Sequence, residues 1–178
     1  MEISSEQQLI ARAKSGEIEA FEAILRPSID AAHRYACAIL HDPSLAEDAV
    51  QEASERAWRK LGRLRDDSPF QPWFLGIVAR RCHEQMRGRW WRMIQLPRID
   101  SIRSELPEDT ALRRAALREA LGELTERERQ VLILRLYLDL PWPEVAEVLG
   151  LTEAGARTRY YRAVERLRFK HGPSEVLT

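Results

Sequence analysis

The sequence predicts an all-α protein built as two small helical domains joined by a linker. Three observations point there. Ala, Leu, Glu and Arg dominate, with apolar residues recurring at intervals of three and four and no long stretch of period-two alternation. The helical pattern dissolves between 92 and 110, where Pro97, Pro107 and scattered Ser and Asp interrupt it. At 178 residues the chain has room for two such units. The expected division is a first domain over 1–92, a linker over 93–111 and a second domain over 112–178.

A first helix is expected over 6–15, stopped by Gly16, and a second over 18–40, bent near Pro27. Asp42, Pro43 and Ser44 break the chain, with Ser44 as the cap of a third helix over 45–63. Val50, Ala53, Ala57 and Leu61 make a buried stripe on that helix, and Asp48, Gln51, Glu52, Glu55 and Arg59 fall on the opposite side. Residues 65–69 read as a loop. A fourth helix starts at Gln71 or Pro72, where proline suits a first turn, and runs to about 91. After the linker, helices are expected over 112–122, 126–138, 142–149 and 153–170. Thr125 with Glu128 forms a capping box, and Pro141 and Gly150 punctuate the later joints.

Composition narrows the function. Lys and Arg number 28 against 28 Asp and Glu, so the total charge names no partner. The distribution does. Acids outnumber bases up to Asp67, residues 80–103 turn strongly basic, and a second basic run spans 157–170. Two such runs fit polyanion contact at two places; the competing reading is a pair of solvated helix faces. Cys37 and Cys82 are widely spaced, which fits a reducing cytoplasm better than a disulfide framework. No apolar run approaches the roughly 20 residues of a membrane span, and the polar, acidic N-terminus resembles no targeting signal, so no membrane insertion is expected. A Gly-rich phosphate loop, a nucleophile elbow and a His-Glu-x-x-His motif are all missing, so the chain is not expected to be an enzyme or to carry a cofactor. His33 and Cys37 lie four apart, a spacing that can bind zinc, but no second ligand pair accompanies them; no metal site is expected, and Cys37 reads as a small buried hydrophobe.

The segment Pro143-Glu-Val-Ala-Glu-Val-Leu-Gly-Leu-Thr152, followed by a long basic helix, reads as a helix-turn-helix. Ala146 is small where two helices cross, Gly150 allows the tight turn, Leu149 and Leu151 anchor it, and Thr152 can cap the second helix. Ala156, Tyr160, Ala163 and Leu167 then face inward, which turns Arg157, Thr158, Tyr161 and Arg162 outward together. A helix of this kind fits the DNA major groove, with arginines reading guanine edges and Arg159, Arg166, Arg168 and Lys170 placed for phosphates. The competing reading is an amphipathic helix with an ordinary basic exterior.

Leu124-Thr-Glu-Arg-Glu-Arg-Gln-Val-Leu132 resembles the opening of two families, response-regulator transcription factors and region 4 of sigma factors. The first domain separates them. Ala46-Glu-Asp-Ala-Val-Gln-Glu-Ala-Ser-Glu-Arg-Ala-Trp-Arg59 resembles region 2.2 of the sigma-70 family, with Asp48, Gln51, Glu52 and Trp58 at the positions that carry the motif, and Phe70-Gln-Pro-Trp-Phe-Leu-Gly-Ile-Val78 before an Arg-rich helix resembles regions 2.3 and 2.4. Regions 2 and 4 joined by a short linker are the layout of the extracytoplasmic-function (ECF) group. The resemblance implies a transcription initiation factor that binds core RNA polymerase, through its β′ clamp helices and β flap, and directs it to promoter DNA at −10 and −35 elements; an anti-sigma factor is a candidate partner. It implies polymerase contacts by Asp48, Gln51, Glu52, Glu55 and Arg59. The −10 set is Leu64, Phe70, Trp73, Arg80, Arg81 and Arg87, with the 64–70 loop as a base pocket and Trp73 read first as a packing residue. The −35 set is Arg157, Thr158, Arg159, Tyr161, Arg162 and Arg166. Gly155 departs from the usual Gly-Thr-Val before the first arginine and is expected to weaken the helix start. The alternative function is a helix-turn-helix regulator that binds an operator without being a polymerase subunit.

Overall fold

A computed structural model describes residues 5–93, Gly122 and 124–171, with the side chains of 87–93 and 169–171 outside the description. Every regular element among the described residues is helical. In chain order these are α1 (Ser5–Lys14), α2 (Ile18–Leu40), α3 (Pro43–Lys60) with a 3₁₀ turn (Leu61–Arg63), α4 (Phe70–Met93), α5 (Glu126–Leu132) continued as a π turn (Ile133–Tyr137), α6 (Trp142–Leu149) and α7 (Glu153–His171). The expected linker and the expected helix over 112–122 lie outside the described residues, apart from Gly122.

The elements follow from their sequences, α2 over 18–40 among them, and two later joints differ from expectation. Pro27 costs α2 a backbone donor, yet α2 continues through it, because its apolar face (Ala20, Phe21, Ile24, Ala31, Ala32, Tyr35, Ala36, Ile39) is buried on both sides of the proline. The cap of α3 is Asp42, not Ser44: its carboxylate accepts from the backbone N–H groups of Ser44 and Leu45, each at 3.1 Å, and Pro43 occupies the first turn. The α5 segment ends in a π turn instead of an α-helix to 138, and Arg135 is drawn onto Asp139 (3.0 Å) and the Leu140 carbonyl (3.1 Å) while Asp139 takes a left-handed φ of 51°.

The α3 stripe of Val50, Ala53, Ala57 and Leu61 is buried as its spacing requires. It packs on α2 and on α4. Phe74 to Ala79 of α4 are all buried, because α4 is walled on one side by α2 and α3 and on the other by α6. That second wall joins the two halves of the chain into one hydrophobic core. Gly76 lies at the closest part of this approach: a Cβ there would stand 3.4 Å from the Val148 carbonyl oxygen, in contact, with no space for a larger side chain. Two side-chain contacts flank the same joint. The ring of His83 on α4 meets Glu126 on α5 at 2.6 Å, and the Arg34 guanidinium of α2 lies 5.9 Å from the ring centre of Tyr137.

In the C-terminal half the capping box forms as read. Thr125 Oγ1 accepts from the Glu128 N–H (3.3 Å), and Glu128 accepts from the Thr125 N–H (2.9 Å) and hydroxyl (2.8 Å). Burial disfavours the charged Glu128, but those Thr125 bonds and the nearby Arg166 outweigh it and hold the carboxyl below the usual range. The α6–α7 joint is equally legible: Gly150 takes φ 64° and ends α6, and the Thr152 hydroxyl accepts from the Gly155 N–H at 3.1 Å to start α7.

Two outcomes follow. Thr125→Ala should lower stability by about 1 kcal/mol in urea unfolding, while Thr125→Ser should restore most of it; equal stability of the alanine variant would show the box to be idle. Gly76→Leu should force α6 away from α4 at a cost of about 1–3 kcal/mol, and small-angle scattering should report a larger radius of gyration at unchanged helical content. An unchanged radius would mean that the close approach at Gly76 does not hold the halves together.

Candidate functional site

The side of α3 turned away from the core exposes Asp48, Gln51, Glu55 and Arg59 in one polar stripe. It borders a groove of about 970 Å³ between α2 and α3, lined by Ile29, His33, Arg34, Glu47, Gln51 and Ser54 among others. Glu52 belongs to the stripe by spacing but is only half exposed, because it is engaged elsewhere. Its carboxylate accepts from Arg81 of α4 at 2.6 Å; Arg81 also reaches Glu84 (3.1 Å), which in turn holds Arg56 (2.9 Å). This four-residue chain ties α3 to α4. Arg81, with 20% of its side chain exposed, serves as a helix-to-helix strut, an engagement its place in the expected −10 set did not anticipate. A bare run of basic residues carries no signal of which arginine is already paired.

The loop before α4 is also built differently from the expected pocket. Leu64 and Phe70 are 3% and 1% exposed, so their side chains are core. Phe70 sits in an aromatic cluster with Phe21 (6.1 Å between centroids), Trp73 (5.8 Å) and Phe74 (5.7 Å), and its N–H donates to Glu6 of α1. Lys14 of α1 donates to the Leu64 carbonyl (2.6 Å) and meets Asp66 (2.5 Å). The surface of this loop is therefore Arg65, Asp66, Asp67 and Pro69. Trp73 is half-buried against Phe70. Arg80 is exposed and lines a cleft of about 670 Å³ between α4 and the C-terminal half, with His83, Glu126, Arg127 and Gly150. The Arg87, Trp90 and Trp91 side chains lie outside the described residues.

The C-terminal set is brought together as its spacing implies. Ala156, Ala163 and Leu167 are buried and Tyr160 half-buried, leaving Arg157, Thr158, Tyr161 and Arg162 exposed on α7. Tyr161 keeps 62% of its surface in solvent, unusual for so large a ring. At Gly155 a Cβ would come 3.2 Å from the capping Thr152 hydroxyl, so glycine makes room for the cap at the helix start. The Thr158 hydroxyl donates to the Ala154 carbonyl (2.8 Å). Arg159 is half-buried, and burial together with the charge of Arg127 holds its guanidinium below the usual range. Two cations that feel each other's charge gain from a nearby anion. Arg166 stands 3.5 Å from Glu128. Arg157 lies 3.9 Å from Glu153 and 4.9 Å from the ring centre of Trp142. Sequence reasoning missed Arg127, Arg135 and Trp142 at this face, because each comes from another helix or turn and no period links it to α7.

His33 and Cys37 do touch, Sγ to Nδ1 at 3.7 Å, and Cys37 is half-exposed rather than buried as expected. Among the described residues no third His, Cys, Asp or Glu joins them in a metal-binding group. Cys82 is wholly buried, which pushes its thiol up to about 12. No helix among the described residues is long and apolar enough to cross a membrane.

Residues 25–92 match the family described as Sigma-70 region 2, and residues 114–167 match that described as Sigma-70, region 4. The chain is 29% identical over 158 residues to the RNA polymerase sigma-E factor of Streptomyces coelicolor, covering 86% of each chain. It is 28% identical over 167 residues to the ECF RNA polymerase sigma factor BldN of the same organism, covering 90% of this chain and 63% of that one. Among solved structures it resembles CnrH in complex with the cytosolic domain of CnrY, with a TM-score of 0.72, 25% identity, and coverage of 93% of this chain and 96% of that one. A region 2 match ahead of the helix-turn-helix is what an operator-binding regulator would not need. With both regions in sequence order and on the expected all-helical frame, the chain belongs to the ECF group of the sigma-70 family and is a transcription initiation factor.

Proposed function

We propose that this chain divides initiation between two faces: α3 binds core RNA polymerase, and α7 reads the −35 element. The observation that carries the second half is the exposed set Arg157, Thr158, Tyr161 and Arg162 on a capped helix behind a tight turn. Arg157 and Arg162 read base edges, and Arg159 with Arg127, together with Arg166, meets phosphates. On α3, Asp48, Gln51, Glu55 and Arg59 form a polar and charged surface suited to the β′ clamp helices. Glu52 supports that surface from behind through Arg81. The −10 element falls to Arg80 and Arg87 with the exposed loop over 65–69, Trp73 bracing the loop from the core side. The β flap meets the C-terminal half. The chain acts in the cytoplasm, as a binding subunit with no catalytic step of its own. CnrH was solved with the cytosolic domain of CnrY, and the likeness to it supports a protein partner here, for which an anti-sigma factor is the candidate.

The two elements lie about 25 base pairs apart, roughly 85 Å at ~3.4 Å per step, whereas α6 touches α4 at Gly76. The docked halves therefore separate when both elements are read at once, and the free chain holds its DNA-reading faces in an arrangement that does not suit a promoter.

The division is tested by paired substitutions. Arg162→Ala should reduce promoter discrimination about tenfold to a hundredfold and leave affinity for core polymerase unchanged. Gln51→Ala with Glu55→Ala should do the reverse. Fluorescence titration with core enzyme and abortive-initiation assays read the two separately. Loss of polymerase affinity in Arg162→Ala, or none in the α3 double variant, would break the assignment.

A further inference from the structure

Trp142 stands at the first turn of α6, outside the recognition helix, yet it is the hub of that helix's exposed face. The ring of Tyr160 meets it edge-on, 5.3 Å between centroids at 81°, and Tyr160 in turn meets Tyr161 at 5.4 Å and 80°. The Arg135 guanidinium lies 5.5 Å from the Trp142 centroid and is itself fixed by Asp139 and the Leu140 carbonyl. Tyr160 and Arg135 therefore hold the indole from the protein side. On the indole also lies Arg157, whose guanidinium is 4.9 Å from the indole centroid, well within cation–π range. Its other partner, Glu153, is 3.9 Å away and half-exposed, a weak competitor in water.

We infer that Trp142 is a specificity-determining positioning residue, stacking the Arg157 guanidinium so that it meets one base pair of the −35 element in a fixed orientation. The physical reason is entropic. An exposed arginine samples many rotamers, and a bidentate contact to a guanine edge uses one of them; a fixed aromatic platform removes that search before DNA arrives. Trp is the side chain with the strongest cation–π attraction. Tyr161 gains indirectly, since its neighbour Tyr160 is held by the same indole. This inference rests on α7 being the −35 reader.

The test uses the full-length chain with core RNA polymerase on a promoter from which it initiates, and a panel in which each −35 base pair is changed singly. Arg157→Ala should flatten the preference at one base pair. Trp142→Leu should flatten the preference at that same pair by about threefold to thirtyfold, add nothing to Arg157→Ala in the double variant, and leave core-polymerase affinity unchanged. Trp142→Phe should recover most of the preference. If Trp142→Leu does not fold, the cycle of Trp142→Phe against Arg157→Ala carries the same test through its coupling. A uniform loss across the panel, a sharpened preference, or additive effects would overturn the inference while leaving α7 as the reader. No effect of Arg157→Ala at any base pair would instead remove the reading on which it rests, and the inference with it.

Discussion

The burial of α4 on two sides organises everything else. From Phe74 to Ala79 every residue of this helix is buried, because α2 and α3 cover one side and α6 the other. A helix apolar nearly all round has to find two walls. The second wall belongs to the C-terminal half, and it comes so close at Gly76 that a Cβ there would already touch Val148, leaving no room for a larger side chain. What remains exposed on each half is then settled by elimination: the polar stripe of α3, the loop tip over 65–69, and the outer face of α7. The proposed contacts with polymerase and promoter DNA all fall on these leftover surfaces.

Charge is distributed in keeping with that division. The acids of the first half do more than solvate. Glu52 and Glu84 hold Arg81 and Arg56 in a chain that locks α3 to α4, and Asp66 and Glu6 tie the loop region to α1. On α7, by contrast, the cations at the exposed face have few strong partners. Arg157 rests on an aromatic ring and a distant carboxylate, and Arg159 is half-buried within the field of the Arg127 charge. A face whose arginines are weakly neutralised attracts a polyanion; one whose arginines are already bridged is a brace.

Much of this was legible in the sequence. The α3 stripe, the Thr125–Glu128 box, the Gly150 turn and the split faces of α7 all came from local periodicity and local cap chemistry, where the deciding contacts lie within four residues. Misreadings arose where the deciding contact is local but ambiguous, or long-range. Asp42 and Ser44 are both good caps, and only backbone geometry chose Asp42. Leu64 and Phe70 border a loop, yet α1 and the aromatic cluster pull them into the core. Arg81 looks like any arginine of a basic run until Glu52, 29 residues away, is placed beside it. The docking of α6 on α4 has no sequence signature beyond a helical glycine, and Trp142 shares no period with the helix it serves. Pattern reading sees one helix at a time, and these contacts belong to pairs.

The most direct test of the central claim is to mix the full-length chain with bacterial core RNA polymerase, follow co-elution on a sizing column, and map transcript starts on genomic DNA. The account predicts a stoichiometric complex and starts at a restricted set of sites preceded by shared −10 and −35 sequences. Sequence-specific DNA binding by the chain alone, with no association with core enzyme, would contradict it.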